Sequence, residues 1–84
     1  MPIISNFYGI IIKMYFQQSE HNPPHFHALY GEYMGTFDIQ TLEMIEGDIP
    51  AKGQTLIKEW AAMHKDELLK IWNTQESKKL PPLK

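Results

Sequence analysis

Between residues 8 and 16 apolar and polar positions alternate with a period of two. Tyr8, Ile10, Ile12, Met14 and Phe16 form one unbroken apolar face, and Gly9, Ile11, Lys13 and Tyr15 form the other. This period predicts a β-strand, bounded by Asn6 before it and by the polar residues 17–20 after it. Two further strands follow, at 25–30 and 33–39, separated by Gly31-Glu32. A Gly-X pair suits a two-residue type II′ turn. A turn that tight fixes the register by counting outwards. Tyr30 then faces Tyr33, Ala28 faces Gly35 and Phe26 faces Phe37 on one side, while His27 faces Thr36 and His25 faces Asp38 on the other. The first side is aromatic and small, as a core face should be. The second is polar apart from Leu29 and Met34. A short fourth strand is expected over 42–46, ending at Gly47.

Beyond residue 48 the period changes. Asp48-Ile49-Pro50 reads as a helix start, since a proline at an early position loses no intrahelical hydrogen bond. Leu56, Ile57, Trp60, Ala61, His64, Leu68, Ile71 and Trp72 recur at helical spacing and give one apolar stripe. Asp66-Glu67 suits the first turn of a second helix, so a break is expected near His64 and Lys65. The pattern predicts an α+β fold. Its small antiparallel sheet of three or four strands carries one or two C-terminal helices on the Phe26/Ala28/Tyr30 face. Residues 1–75 read as a single domain and 76–84, with Pro81-Pro82, as a flexible tail.

Composition narrows the function classes. The chain has 84 residues, no cysteine and a formal net charge of −2, so disulfide and thiolate chemistry are excluded. The longest apolar run, residues 8–12, is far too short to span a bilayer, and no signal segment opens the chain. A cytoplasmic location is the expectation. All eight cationic residues are lysine, which removes the bidentate guanidinium fork that reads guanine or clamps phosphate. DNA reading is therefore disfavoured.

The most specific segment is Glu20-His21-Asn22-Pro23-Pro24-His25-Phe26-His27, which holds three of the four histidines. Two prolines stiffen it into an extended lead-in. His25 and His27, two apart on a strand, point to the same face. Three readings are open. In an acid/base site, Asp38 would orient His25, His27 would be the second proton-transfer group, and Lys13 or Tyr15 would stabilise a developing anion, with His21 nearby as a binding residue. Two histidines and a lysine suffice for metal-free cleavage of a phosphodiester. In a metal site, His25 and His27, completed by His21 or by the Glu20 carboxylate, would hold a divalent ion such as zinc; the acid/base reading needs no cofactor. In the third reading these residues are a solvated polar sheet face. His64, on the apolar stripe, reads as a hydrogen-bonded boundary histidine, and Trp60 and Trp72 as core or interface anchors.

The chain resembles the small bacterial family known as domain of unknown function 4160. The matching stretches are Pro2-Ile3-Ile4-Ser5, Phe7-Tyr8-Gly9-Ile10, Lys13-Met14-Tyr15 and His21-Asn22-Pro23-Pro24-His25-Phe26-His27-Ala28. They continue through Tyr30-Gly31, Phe37-Asp38-Ile39, Leu42-Glu43, Glu46-Gly47, Glu59-Trp60-Ala61, His64, Glu67-Leu68 and Trp72. Glu20 stands where the family usually has aspartate. Members resemble components of two-gene bacterial operons of the toxin–antitoxin type. The resemblance thus implies a small partner protein encoded by a neighbouring gene, and RNA as a substrate of the histidine face. The competing expectation is a non-catalytic protein–protein interaction module.

Overall fold

A computed structural model of the chain describes residues 3–14, 23–74, 76 and 78–83. Five strands, β1 (Ile3–Phe7), β2 (Ile10–Lys13), β3 (His25–Tyr30), β4 (Tyr33–Asp38) and β5 (Met44–Gly47), are followed by helices α1 (Ala51–Met63) and α2 (Lys65–Thr74). The sheet is an antiparallel meander in the order β1-β2-β3-β4-β5. The fold is α+β as expected, with five strands rather than three or four.

The extra strand is β1, and the strand expected over 8–16 begins instead at Ile10. Tyr8 and Gly9 have φ of 50° and 80° and form a two-residue hairpin turn, with Phe7 opposite Ile10. A left-handed tyrosine is uncommon, so this turn carries no ordinary glycine-asparagine signal. Residues 15 and 16 lie outside the described residues. The β3–β4 register is the one dictated by a two-residue loop, from Tyr30 opposite Tyr33 to His25 opposite Asp38. Gly31 has a φ of 62°, as the first central position of a type II′ turn requires.

The fourth strand starts later than expected, at Met44, because Leu42 is left-handed (φ 65°) and closes a turn. There the Asp38 carboxylate accepts the N–H groups of Gln40 (2.7 Å) and Thr41 (3.1 Å). The β4–β5 register slips between Thr36 and Phe37. Met44 therefore faces the core beside Phe37 while Glu46 stands beside Thr36, and Ile45 is pushed outward, 52% exposed.

Both helices pack on the face of Phe26, Ala28 and Phe37, each of which is fully buried together with Ile10, Ile12, Ile57, Trp60 and Leu68. Phe26 stacks on Phe37 (centroids 5.5 Å, 7° between planes) and meets Trp60 edge-on at 6.2 Å. The expected helix break falls at His64, whose N–H caps α1 through Ala61 O. His64 is a boundary histidine: its Nδ1 lies 3.3 Å from Glu67 Oε1 and its ring 5.2 Å from that of Trp60.

The reading of 76–84 as a loose tail does not fit the contacts of its described residues. Leu80 and Leu83 are buried, Leu80 N–H donates to Ile4 O, and Pro81 O accepts the Trp60 Nε1–H at 2.8 Å. Two leucines spaced three apart anchor the segment on β1 and α1, and the proline carbonyl satisfies an indole buried in the core.

Candidate functional site

Strand alternation sends every second residue to the face opposite the helices. Cross-strand pairing arranges these residues in rows. One row runs Lys13, His27, Thr36, Glu46 across β2 to β5, and a second runs Ile11, Leu29, Met34. His25, opposite Asp38, begins a third. Ile11, Leu29 and Met34 belong neither to the buried core nor to the apolar side chains packed against it, and Met34 is 56% exposed. An apolar row, half-buried at Ile11 and Leu29 and exposed at Met34, therefore borders the histidines on the face opposite the helices.

His25 and His27 come together as their spacing implies, with ring centroids 5.2 Å apart and planes 78° apart. His25 Nδ1 lies 2.8 Å from Pro23 O. A carbonyl can only accept, so Nδ1 carries the proton and Nε2 is the basic nitrogen of the neutral ring. Pro23 thus fixes the His25 tautomer through its backbone, which is a concrete use for the stiff lead-in. Trp72 of α2 packs on the same ring at 4.9 Å. His27 Nδ1 lies 3.3 Å from Thr36 Oγ1. Burial holds the His27 pKa below the usual 6.5; the like charge of His25 lowers it further, and the Glu46 carboxylate partly opposes both. These surroundings favour the neutral ring over the charged one.

Pro23, His25, His27, Thr36, Ile45 and Glu46 line a shallow cleft of about 260 Å³. A neighbouring depression shares His27, Thr36 and Glu46 and extends past Met34 to Gly47. Together they form a trough along β4 and β5.

Two expected members are placed elsewhere. Asp38 is opposite His25 in register, but its carboxylate is turned into the β4–β5 loop, where the nearby N–H groups of Gln40 and Thr41 need an acceptor. It does not orient His25; Pro23 does. Lys13 stands beside His27 on the side away from Thr36, outside the residues that line the cleft. His21 and Tyr15 fall outside the described residues. Glu46, Thr36 and Ile45 join the site unannounced. The pairing of Thr36 with His27 is implied by the hairpin, but Glu46 is brought alongside only by the register slip in β5.

The trough offers one imidazole biased towards its neutral form, one imidazole of fixed tautomer, a carboxylate and an apolar border. Among the described residues no cationic side chain lines it. Such a surface can bind a cation or a mixed polar–apolar partner, or move a proton between two imidazoles. Among the described residues its lining supplies no built counter-charge for a phosphate. No described helix is long and apolar enough to cross a membrane.

The model of the family described as domain of unknown function (DUF4160) matches residues 9–73. No curated protein and no solved structure matches the chain.

Proposed function

The chain belongs to the DUF4160 family, and we propose that it is the binding component of a two-protein bacterial system of toxin–antitoxin type. It works in the cytoplasm, and its open sheet face docks the small protein encoded by the neighbouring gene. The observation that carries this reading is the apolar row of Ile11, Leu29 and Met34, which lies outside the core on the open face and borders the histidine trough. A catalytic surface does not need that row. A protein interface does, since an apolar centre with polar neighbours is the anatomy of a stable contact. Co-expression with the neighbouring gene tests the reading. Tagged wild type should retain the partner, and Met34→Asp should lose it with unchanged thermal stability, because Met34 is an exposed side chain. Equal retention by both would refute the docking face.

A second reading, cleavage of RNA by His25 and His27, is favoured by one observation, the closeness of two imidazoles of which one has a fixed tautomer. In that chemistry a neutral histidine accepts the ribose 2′-hydroxyl proton and a charged one protonates the leaving oxygen. Glu46 opposes it, since a carboxylate lining the same cleft repels a phosphate. Purified protein that cleaves RNA, with activity lost in His25→Ala, would establish this reading in place of pure docking.

A further inference from the structure

On the face opposite the helices, strand pairing sets two opposite charges at the two ends of one row. Lys13 of β2 stands opposite His27 of β3, His27 opposite Thr36 of β4, and Thr36 opposite Glu46 of β5. The row thus begins with a cation and ends with a carboxylate. Three strand spacings, about 14 Å, separate them. That exceeds the screening length of about 8 Å at physiological salt, so neither charge neutralises the other within one chain. Among the described residues neither enters an ion pair. Beside this row runs the apolar one, half-buried at Ile11 and Leu29 and exposed at Met34.

The arrangement is self-complementary. A two-fold axis running along the strands, midway between β3 and β4, reverses the order of the strands and keeps each position along them. A second copy laid face to face by that axis sets its Glu46 over Lys13 and its Lys13 over Glu46. Its Thr36 comes over His27 and its Met34 over Leu29. Two charge pairs then flank a centre with two apolar contacts. An axis across the strands would set lysine over lysine and carboxylate over carboxylate, so charge selects one orientation. Sheets packed in this aligned way lie about 10 Å apart with strands within about 30° of each other. Lysine and glutamate, as long side chains, can meet across that gap.

We infer that this face is the contact surface of a homodimer, in which Lys13 of each copy pairs with Glu46 of the other around the Leu29 and Met34 contacts. The inference rests on the reading of the face as a protein-docking surface, and it names a second copy of this chain as an occupant. The neighbouring gene product and the second copy then compete for one face.

Sedimentation equilibrium of the purified protein alone, from dilute solution up to about 1 mM, tests the dimer. Wild type should show a monomer–dimer equilibrium. Lys13→Glu and Glu46→Lys each oppose like charges across the axis, and each should weaken self-association about tenfold or more. An equimolar mixture of the two variants should recover the wild-type level, because each chain then meets its opposite charge. Native mass spectrometry should find one chain of each kind in the recovered species, a result that no folding defect mimics. Far-UV circular dichroism identifies a variant that fails to fold, and Met34→Asp, which breaks the centre of the contact, then replaces it. Wild type that stays monomeric throughout, single variants that dimerise as wild type does, or a mixture that recovers nothing would overturn the homodimer. Those results leave the docking of the neighbouring gene product standing, since co-expression tests it separately.

Discussion

His27 is the residue whose surroundings most change its chemistry. Its folded-state pKa is lowered, so the folded protein holds fewer protons than the unfolded chain between that value and 6.5. Stability linked to His27 is therefore fully present above pH 6.5 and is lost as pH falls toward the folded value. Proton NMR titration should give a His27 midpoint below 6.5. Removing the neighbouring charge in His25→Ala should raise that midpoint only part of the way, because burial, the larger cause, remains. A full return to 6.5 would mean that His25, rather than burial, dominates. The pairing of the two imidazoles was legible from their spacing on a strand. The loss of Asp38 was not, because it depends on where the chain turns after β4, and a short carboxylate at the end of a strand bonds the nearest unpaired N–H groups.

At the level of elements, Gly47 and Gly53 are steric requirements. Gly47 has a φ of 122°, and a Cβ there would run into Met34 O and Gly35 Cα; Gly47→Ala should cost at least about 2 kcal/mol through strain and overpacking. In α1 a Cβ on Gly53 would lie 2.7 Å from Tyr30 Cδ2 and 2.8 Å from Ile49 Cγ2. The better helix propensity of alanine, about 1 kcal/mol, offsets part of an overpacking cost of about 1–3 kcal/mol. Denaturant titration of Gly53→Ala should thus show a net loss, and a gain would place α1 farther from Tyr30. The β3–β4 hairpin and the break at His64 were legible because glycine and charge mark them. β1 was not, since its turn rests on a left-handed tyrosine and Ile3-Ile4-Ser5-Asn6-Phe7 shows no period of two. The lead-in prolines act on the site more than on the fold. Pro23→Ala with Pro24→Ala keeps both carbonyls, so about 1 kcal/mol or less should be lost through unfolded-state entropy. A loss of several kcal/mol would mean that the prolines are part of the core.

Across the whole molecule, the helices and the C-terminal segment all serve one side of the sheet. Leu80 and Leu83 complete the core, and Pro81 O satisfies Trp60. Deleting residues 80–84 exposes that indole and its apolar surroundings, and should lower stability by about 2 kcal/mol or more. An unchanged unfolding midpoint would show that the segment only rests on the surface. With one side completed in this way by the described residues, the opposite face is the surface proposed to meet another molecule. Its histidines could be placed in advance, but its apolar border became visible as a continuous row only once β2, β3 and β4 were in register.

The most direct test of that claim is a footprint. Backbone amide shifts of the labelled protein, followed as the product of the neighbouring gene is added, should move at His25, His27, Leu29, Met34, Thr36 and Glu46, and stay fixed along the outer positions of α1 and α2. Shifts confined to the helices, with the sheet face unmoved, would contradict the account.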